Sequence, residues 1–346
     1  MKKTIRQRGA KSLFCLILCV VFLLTLSLPA VAVGENRQKL YVGGTPFGVR
    51  YMTDGILVVG YCDVTTCGRA ENPAKAAGVR PGDCIMAVDG KAPEGVNDLA
   101  ATVSRAGGRS LTLTLRREGE ELSVTLTPCA CDSDGRYRTG LWVKDTGAGI
   151  GTVTYIAENG RDFAGLGHGI CDGSCGVLVP IARGNVMGVD INGIKKGAVG
   201  APGELKGHFQ AGKTGVLNAN TPCGVFGVLT EPPVKTAGLL PVGTRLELHD
   251  GAATCWCTLD EGEPKEYSIK ISDIHRAASD NKCFTVTVTD KTLLEKTGGI
   301  VQGMSGSPIV QDGKIVGAIT HVLIGDPTTG YGIFIENMLE NMPKAG

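Results

Sequence analysis

Gly303-Met304-Ser305-Gly306-Ser307-Pro308 lies between two apolar runs, Gly299-Ile300-Val301 and Ile309-Val310. The spacing predicts a tight turn between two strands, with one hydroxyl held at its tip. Small residues on either side of Ser305 let the backbone turn sharply and approach another chain closely. The N–H groups of Gly303 and Ser305 are placed to converge on a developing oxyanion. The same residues also fit a glycine-rich turn with an incidental serine. A serine hydroxyl is a poor nucleophile without a base, so the rest of the chain decides between the two.

Five histidines are available: His168, His208, His249, His275 and His321. His168 stands in Gly165-Leu166-Gly167-His168-Gly169-Ile170, where the glycines leave its ring open to a substrate. His321 follows the apolar run Ile315 to Thr320 and would approach Ser305 by hairpin geometry. A third group has to hold the histidine in the right tautomer. Asp290, Asp172, Asp250 and Asp273 are candidates that spacing does not rank, and turn aspartates are commonly just solvated. A different chemistry is also written here: His168, Cys171 and Cys175 are soft ligands close enough to share a zinc ion. That reading makes the chain a metal-stabilised binding module or a metallohydrolase. The run Gly147-Ala148-Gly149-Ile150-Gly151 lacks the strand–loop–helix setting and the Lys-Ser/Thr ending of a phosphate loop.

A chain of 346 residues is too long for one ordinary core, and 51 glycines with 5% aromatics favour short strands and turns. Lys2, Lys3, Arg6, Arg8 and Lys11 precede an apolar run from Leu13 to Val33 that ends Ala30-Val31-Ala32. Residues 1–33 therefore read as an export signal or membrane anchor, with the body outside the cytoplasm by the positive-inside rule. Without those five charges, 30 cationic side chains face 34 acidic ones. That balance offers no electrostatic footprint for nucleic acid. Eleven of the thirteen cysteines lie outside the apolar segment, an odd number that leaves at least one thiol unpaired within the chain.

Residues 37–128 form a first unit. Gly55 to Val59 reads as a buried strand, Asn72 to Val79 as a short helix, Cys84 to Val88 as a strand and Val96 to Ala106 as a helix stopped by Gly107-Gly108. Leu111 to Leu115 and Leu122 to Leu126 alternate strictly around Glu118-Gly119, which predicts a hairpin. This order, with Ala77-Gly78-Val79-Arg80-Pro81-Gly82-Asp83 and Val88-Asp89-Gly90-Lys91, resembles a PDZ domain. The resemblance implies an α+β module that takes a peptide as an added strand, with Phe47-Gly48-Val49 as its binding loop. Residues 129–139 read as a polar linker. Residues 140–346 carry many short apolar runs between glycine turns, as in a sandwich or barrel.

Taken together, the apolar N-terminus, the PDZ-like module, Leu166-Gly167-His168-Gly169 and Gly298 to Ile309 resemble the stage IV sporulation protein B family. Thr320-His321-Val322 and Asp326 to Gly332 are similar to it as well. These are sporulation-checkpoint serine peptidases grouped with the chymotrypsin-like enzymes. The resemblance implies a mainly β protein with short helices, in which the module precedes a double β-barrel. It assigns Ser305 as nucleophile, His168 as base and Asp290 as acid, with Gly303 and Ser305 as the oxyanion hole and no cofactor or metal. It further implies a forespore-derived protease in the space between forespore and mother cell. There it would process itself and cleave a membrane-embedded inhibitor of an intramembrane protease, so that a sigma factor matures. Its partners would be that protein, its own N-terminal segment and the membrane. The competing reading is a PDZ adaptor of the cell envelope without enzymatic activity.

Overall fold

The computed structural model describes residues 37–230, 236–260 and 262–343. The apolar run from Leu13 to Val33 lies outside the described residues. β1 (Lys39–Val42) leads into β2 (Pro46–Tyr61), a strand of 16 residues broken in character only at Gly55, whose φ is +87°. β3 (Val64–Thr66) and β4 (Arg69–Glu71) form a small hairpin. The predicted short helix is α1 (Pro73–Ala76). The Asn72 side chain caps it by accepting from Lys75 N–H, and proline stands in its first turn.

β5 (Cys84–Val88) is followed by α2 (Val96–Ala106), which Gly107 stops in the left-handed region at φ +58°. β6 (Leu111–Arg117) and β7 (Glu120–Leu126) make the expected hairpin, and Glu118 and Gly119 supply the positive φ values its turn requires. Ile56, Val58, Ile85, Leu99, Val103, Leu111, Leu113 and Leu115 fill this module's core. Where a linker was expected, β8 (Cys129–Ala130) and β9 (Tyr137–Arg138) pair.

β10 (Leu141–Ala157), β11 (Asp162–Gly165), β12 (Ile181–Lys195), β13 (Glu204–Phe209), β14 (Gly215–Thr221) and β15 (Gly224–Leu229) follow. The ladder runs β10-β11-β15-β14-β12-β2, and β2 also pairs with β10, so these strands close a ring. β13 pairs with β12, and β16 (Leu239–Pro241) extends the sheet beyond β1.

β17 (Gly251–Cys257), β18 (Lys265–Ser272), β19 (Phe284–Val288), β20 (Pro308–Gln311), β21 (Lys314–Leu323) and β22 (Asp326–Phe334) form a second closed barrel in the order β17-β18-β19-β22-β21-β20. Alternate residues of β19 are buried, as a barrel wall requires. The short helices α3 (Lys291–Thr297) and α4 (Ile335–Glu340) complete the chain. The protein is thus mainly β, with a PDZ-like module and two barrels.

The divisions expected at 37–128 and 140–346 are not where the strands part. Pro46 to Thr53 of β2 pairs with β10 and β12 inside the first barrel, whereas Leu57 to Tyr61 pairs with Leu141 to Lys144 at the start of β10. The module therefore borrows four residues from beyond its expected end and lends the first half of β2 to the barrel. All eleven cysteines among the described residues are free thiols.

Candidate active site

Ser305 sits on a turn that both barrels hold. From the first barrel, Thr152 Oγ1 donates to Gly303 O at 2.7 Å, Thr152 N–H to Ser305 O at 2.9 Å and Thr154 Oγ1 to Gly306 O at 2.8 Å. From the second, Gly306 N–H donates to Ile319 O at 2.7 Å, and Ile319 N–H donates in return to Ser307 O at 2.9 Å. Ser307 Oγ closes the turn on Met304 O at 2.7 Å, and the Met304 side chain is fully buried. Glycine is required at 306: its φ is +94°, and a Cβ there would collide with Thr152 O and with the Leu166 backbone. The approach to the turn is not the strand expected at Gly299-Ile300-Val301. It is an irregular segment after α3, tied down by Ile300 N–H to Pro327 O and Gln302 N–H to Gly203 O.

His168 follows β11 after two residues with left-handed backbone, Leu166 at φ +68° and Gly167 at +66°. Leu166 is a non-glycine in a sparsely populated region, and such residues gather at functional sites. The His168 ring is half-buried and lines a cavity of about 240 Å³ together with Ser305, Gly303, Gln302, Leu166 and Gly149 to Gly151. Its Nδ1 lies 2.9 Å from Gly169 O. A carbonyl can only accept, so the proton stands on Nδ1 and the Nε2 lone pair is free. That is the tautomer a general base needs. Burial pushes the ring's pKa below the ordinary 6.5, and the Gly169 carbonyl only partly offsets this. At neutral pH His168 is the unprotonated base.

In the resting arrangement Ser305 Oγ donates to Thr320 O at 2.7 Å rather than to His168. Ser305 nonetheless lines the same cavity as His168. Among the described residues, neither Gly303 N–H nor Ser305 N–H has a hydrogen-bond acceptor, which leaves both available to an oxyanion.

The structure does not bring Asp290 to His168. Asp290 is the N-cap of α3, accepting from Leu293 N–H at 2.9 Å and from Ser268 N–H at 3.4 Å. The site side of β19 is its other end, where Asn281 O accepts from Thr320 Oγ1. Five strand residues span about 17 Å, so the length of β19 separates Asp290 from the cavity. Asp172 is engaged too: Lys144 Nζ lies 2.8 Å away, and the Ser174 and Cys175 amides donate to it. Burial raises its pKa, but those bonds outweigh burial and hold the carboxyl below its usual range. Asp250 and Asp273 are exposed and remote from these contacts. His249 pairs with Asp312 and His208 with Asp190, both at the surface. Among the described residues no three His, Cys, Asp or Glu side chains gather to hold a metal ion, so His168, Cys171 and Cys175 do not form a ligand set.

His321, the other histidine expected near Ser305, is brought in. Its ring centroid lies 4.7 Å from that of His168, with the planes tilted by 35°. Phe47 and Val49, expected in the module's binding loop, are instead buried in the first barrel and line the Ser305 cavity. Gly48 lies between them on β2. The chain runs straight through these residues as a strand, and no loop forms. The module's groove lies elsewhere: a cleft of about 670 Å³ between α2 and the segment Arg136 to Val143.

Two closed barrels, with a glycine-held serine and a neutral histidine facing one cavity between them, define a serine peptidase of the chymotrypsin-like class. A family model described as SpoIVB peptidase S55 matches residues 135–339, and one for a PDZ domain matches residues 64–117. The chain belongs to the SpoIVB peptidase S55 family. Among solved structures it is similar to the Rv3671c protease in its inactive form, at 14% identity over 55% of this chain and 81% of that one, with a TM-score of 0.32. It is also similar to the PDZ domain of an SdrC-like protein from Listeria monocytogenes, at 19% identity over 26% of this chain and 87% of that one, with a TM-score of 0.22. Likeness at this level carries no argument about activity. A protein of Mesorhizobium japonicum, provisionally described as a zinc metalloprotease, is 41% identical over 59 residues, 17% of this chain and 16% of its own. A similarly described protein of Agrobacterium fabrum is 32% identical over 73 residues, 21% of this chain and 19% of its own. The chain thus spans less than a fifth of either relative's length.

Proposed function

We propose that this serine peptidase is an exported signalling protease of sporulation, which processes itself and then cleaves a membrane-bound regulatory protein. That cleavage releases an intramembrane protease, and a sigma factor matures as a result. The observation that carries this reading is the family match over residues 135–339 on a chain whose Ser305 and His168 share one cavity. The cationic residues and apolar run before Val33 support export into the space between forespore and mother cell.

In the proposed chemistry, His168 Nε2 takes the Ser305 hydroxyl proton as Oγ attacks the scissile carbonyl. The Gly303 and Ser305 amides receive the oxyanion. His168 returns the proton to the leaving amine, and water then hydrolyses the acyl-enzyme by the same route. The resemblance offers Asp290 as the orienting group, but its engagement as a helix cap lends that role no geometric support. The module would bind the chain's own N-terminal segment or a partner through the cleft beside α2.

Incubating the full chain and following its fragments by N-terminal sequencing tests the reading. Cuts near Asn36 to Lys39 in the wild type, absent in Ser305→Ala, are expected; identical fragments from both would overturn it. Deleting residues 40–128 would also remove β2 from the first barrel. Ala100→Trp, which fills the cleft from an exposed position on α2, is the cleaner probe of the module. It should change the self-cleavage rate at least about threefold, as displacing a docked segment requires.

A further inference from the structure

We infer that His321 is the positioning residue for His168: it packs against the base from the side of the second barrel and supports the charge that forms there, while the Gly169 carbonyl sets the tautomer. This rests on Ser305 and His168 being nucleophile and base. The carboxylates considered for the task are engaged elsewhere: Asp290 caps α3, and Asp172 holds Lys144 and two amides. The titratable side chain that does touch His168 is the His321 ring, 4.7 Å away between centroids.

His321 Nδ1 is the one side-chain nitrogen or oxygen among the described residues that is buried with no hydrogen-bond partner. Such an orphan asks for an explanation, because a buried unsatisfied group is costly. Buried N–H groups are left unpaired more rarely than acceptors, which places the His321 proton on Nε2 and a bare lone pair on Nδ1. The resting protein therefore keeps an unused acceptor beside the base. When His168 takes the Ser305 proton, a cation forms against that neutral ring. His168 gives Nδ1–H to Gly169 O and needs Nε2–H for the leaving group. The His321 lone pair therefore acts on that cation as the negative end of a neighbouring dipole, not as a hydrogen-bond acceptor, and this charge interaction is absent in the resting state.

The arrangement works only while His321 itself stays neutral. Two groups facing it ensure this besides burial: His168, whose own protonation opposes a second charge, and Lys282, on the loop before β19. Burial is the largest influence, and together they push its pKa down to about 4. His321 therefore does not compete with His168 for the serine proton at neutral pH. Its backbone neighbour Thr320 meanwhile holds Ser305 Oγ through its carbonyl, so β21 contacts both the nucleophile and the base.

The test is the rate at which a fluorophosphonate labels Ser305 in the full chain, measured against pH. That reaction needs the base but not the natural substrate. His321→Phe keeps a flat ring and removes the lone pair. We expect it to label at least tenfold more slowly, with the midpoint of the acid limb shifted to lower pH, because the imidazolium has lost its support. His321→Gln restores a dipole and should recover at least threefold over His321→Phe. Labelling of both variants at the wild-type rate overturns the inference. So does a slower rate with an unmoved midpoint, which is what a ring with a merely structural role would give. Equal labelling of Ser305→Ala and wild type would instead sink the assignment of the nucleophile.

Discussion

The two ends of β10 do different work. At Leu141 to Lys144 the strand is an edge of the PDZ-like module, held by backbone pairing with Leu57 to Tyr61 and by packing of Leu141 and Val143 on the module core. At Thr152 to Thr154 the same strand reaches across to the second barrel and holds the Ser305 turn through three directed hydrogen bonds to carbonyl oxygens. Apolar packing tolerates small shifts, whereas bonds aimed at Gly303, Ser305 and Gly306 fix the turn to within a few tenths of an ångström. The difference teaches that catalysis here depends on the contact between barrels. The module is joined to that contact by continuous backbone.

The harshest way to break the comparison is Gly306→Ala. Its methyl meets Thr152 O and the Leu166 backbone at a left-handed φ, so the turn must move. A loss of more than about 100-fold in kcat/KM is expected, because small misplacements at a reacting centre cost that much. A drop of about 3 kcal/mol in chemical-denaturation stability should accompany it. A methyl at the module end of β2, as Gly60→Ala opposite Trp142 of β10, meets nothing nearer than Trp142 at 3.8 Å and should leave the rate within about twofold.

Thr152→Val sharpens the same contrast, since it removes only the hydroxyl that donates to Gly303 O. About a tenfold fall in kcat with KM little changed is expected, alongside roughly 1 kcal/mol of stability. The pH profile adds a milder constraint. His168 must be neutral to act, and burial holds its pKa below 6.5. The rate should climb with pH through a midpoint under 6.5 and be flat from there to about pH 8. A midpoint above 7 would mean an unrecognised anion beside the ring.

Asp290→Ala is expected to have only a small effect on activity. It removes a helix cap and should cost about 1 kcal/mol, with kcat/KM within about threefold of wild type. A fall of about 10⁴-fold would install Asp290 as the orienting acid.

Much of this was legible in the sequence, for local reasons. The module's helices and hairpin are written in short-range signals such as Asn72 before Pro73, Gly107 after Ala106 and Glu118-Gly119 between alternating runs. Ser305 and His168 are legible for the same reason, because their flanking glycines mark special backbone. Phe47-Gly48-Val49 misled because the resemblance to a PDZ domain places a binding loop there. Only pairing with residues about 100 positions later turns the segment into barrel wall. The borrowing of Leu141 to Lys144 is equally non-local. Asp290 carries a visible local signal, an aspartate three residues before Leu293 at a helix start, and this explains its carboxylate without any catalytic task. His321 was placed near Ser305 by hairpin geometry; its contact with His168 arises from the packing of one barrel on the other, which no local pattern encodes.

The central claim is that Ser305, activated by His168, is the nucleophile of this peptidase. Intact-mass measurement and peptide mapping after fluorophosphonate treatment test it most directly. A single adduct on Ser305 is expected, absent in Ser305→Ala and formed about 10³-fold more slowly in His168→Ala. A wild-type chain that takes up no adduct, or a Ser305→Ala chain labelled as fast as wild type, would contradict it.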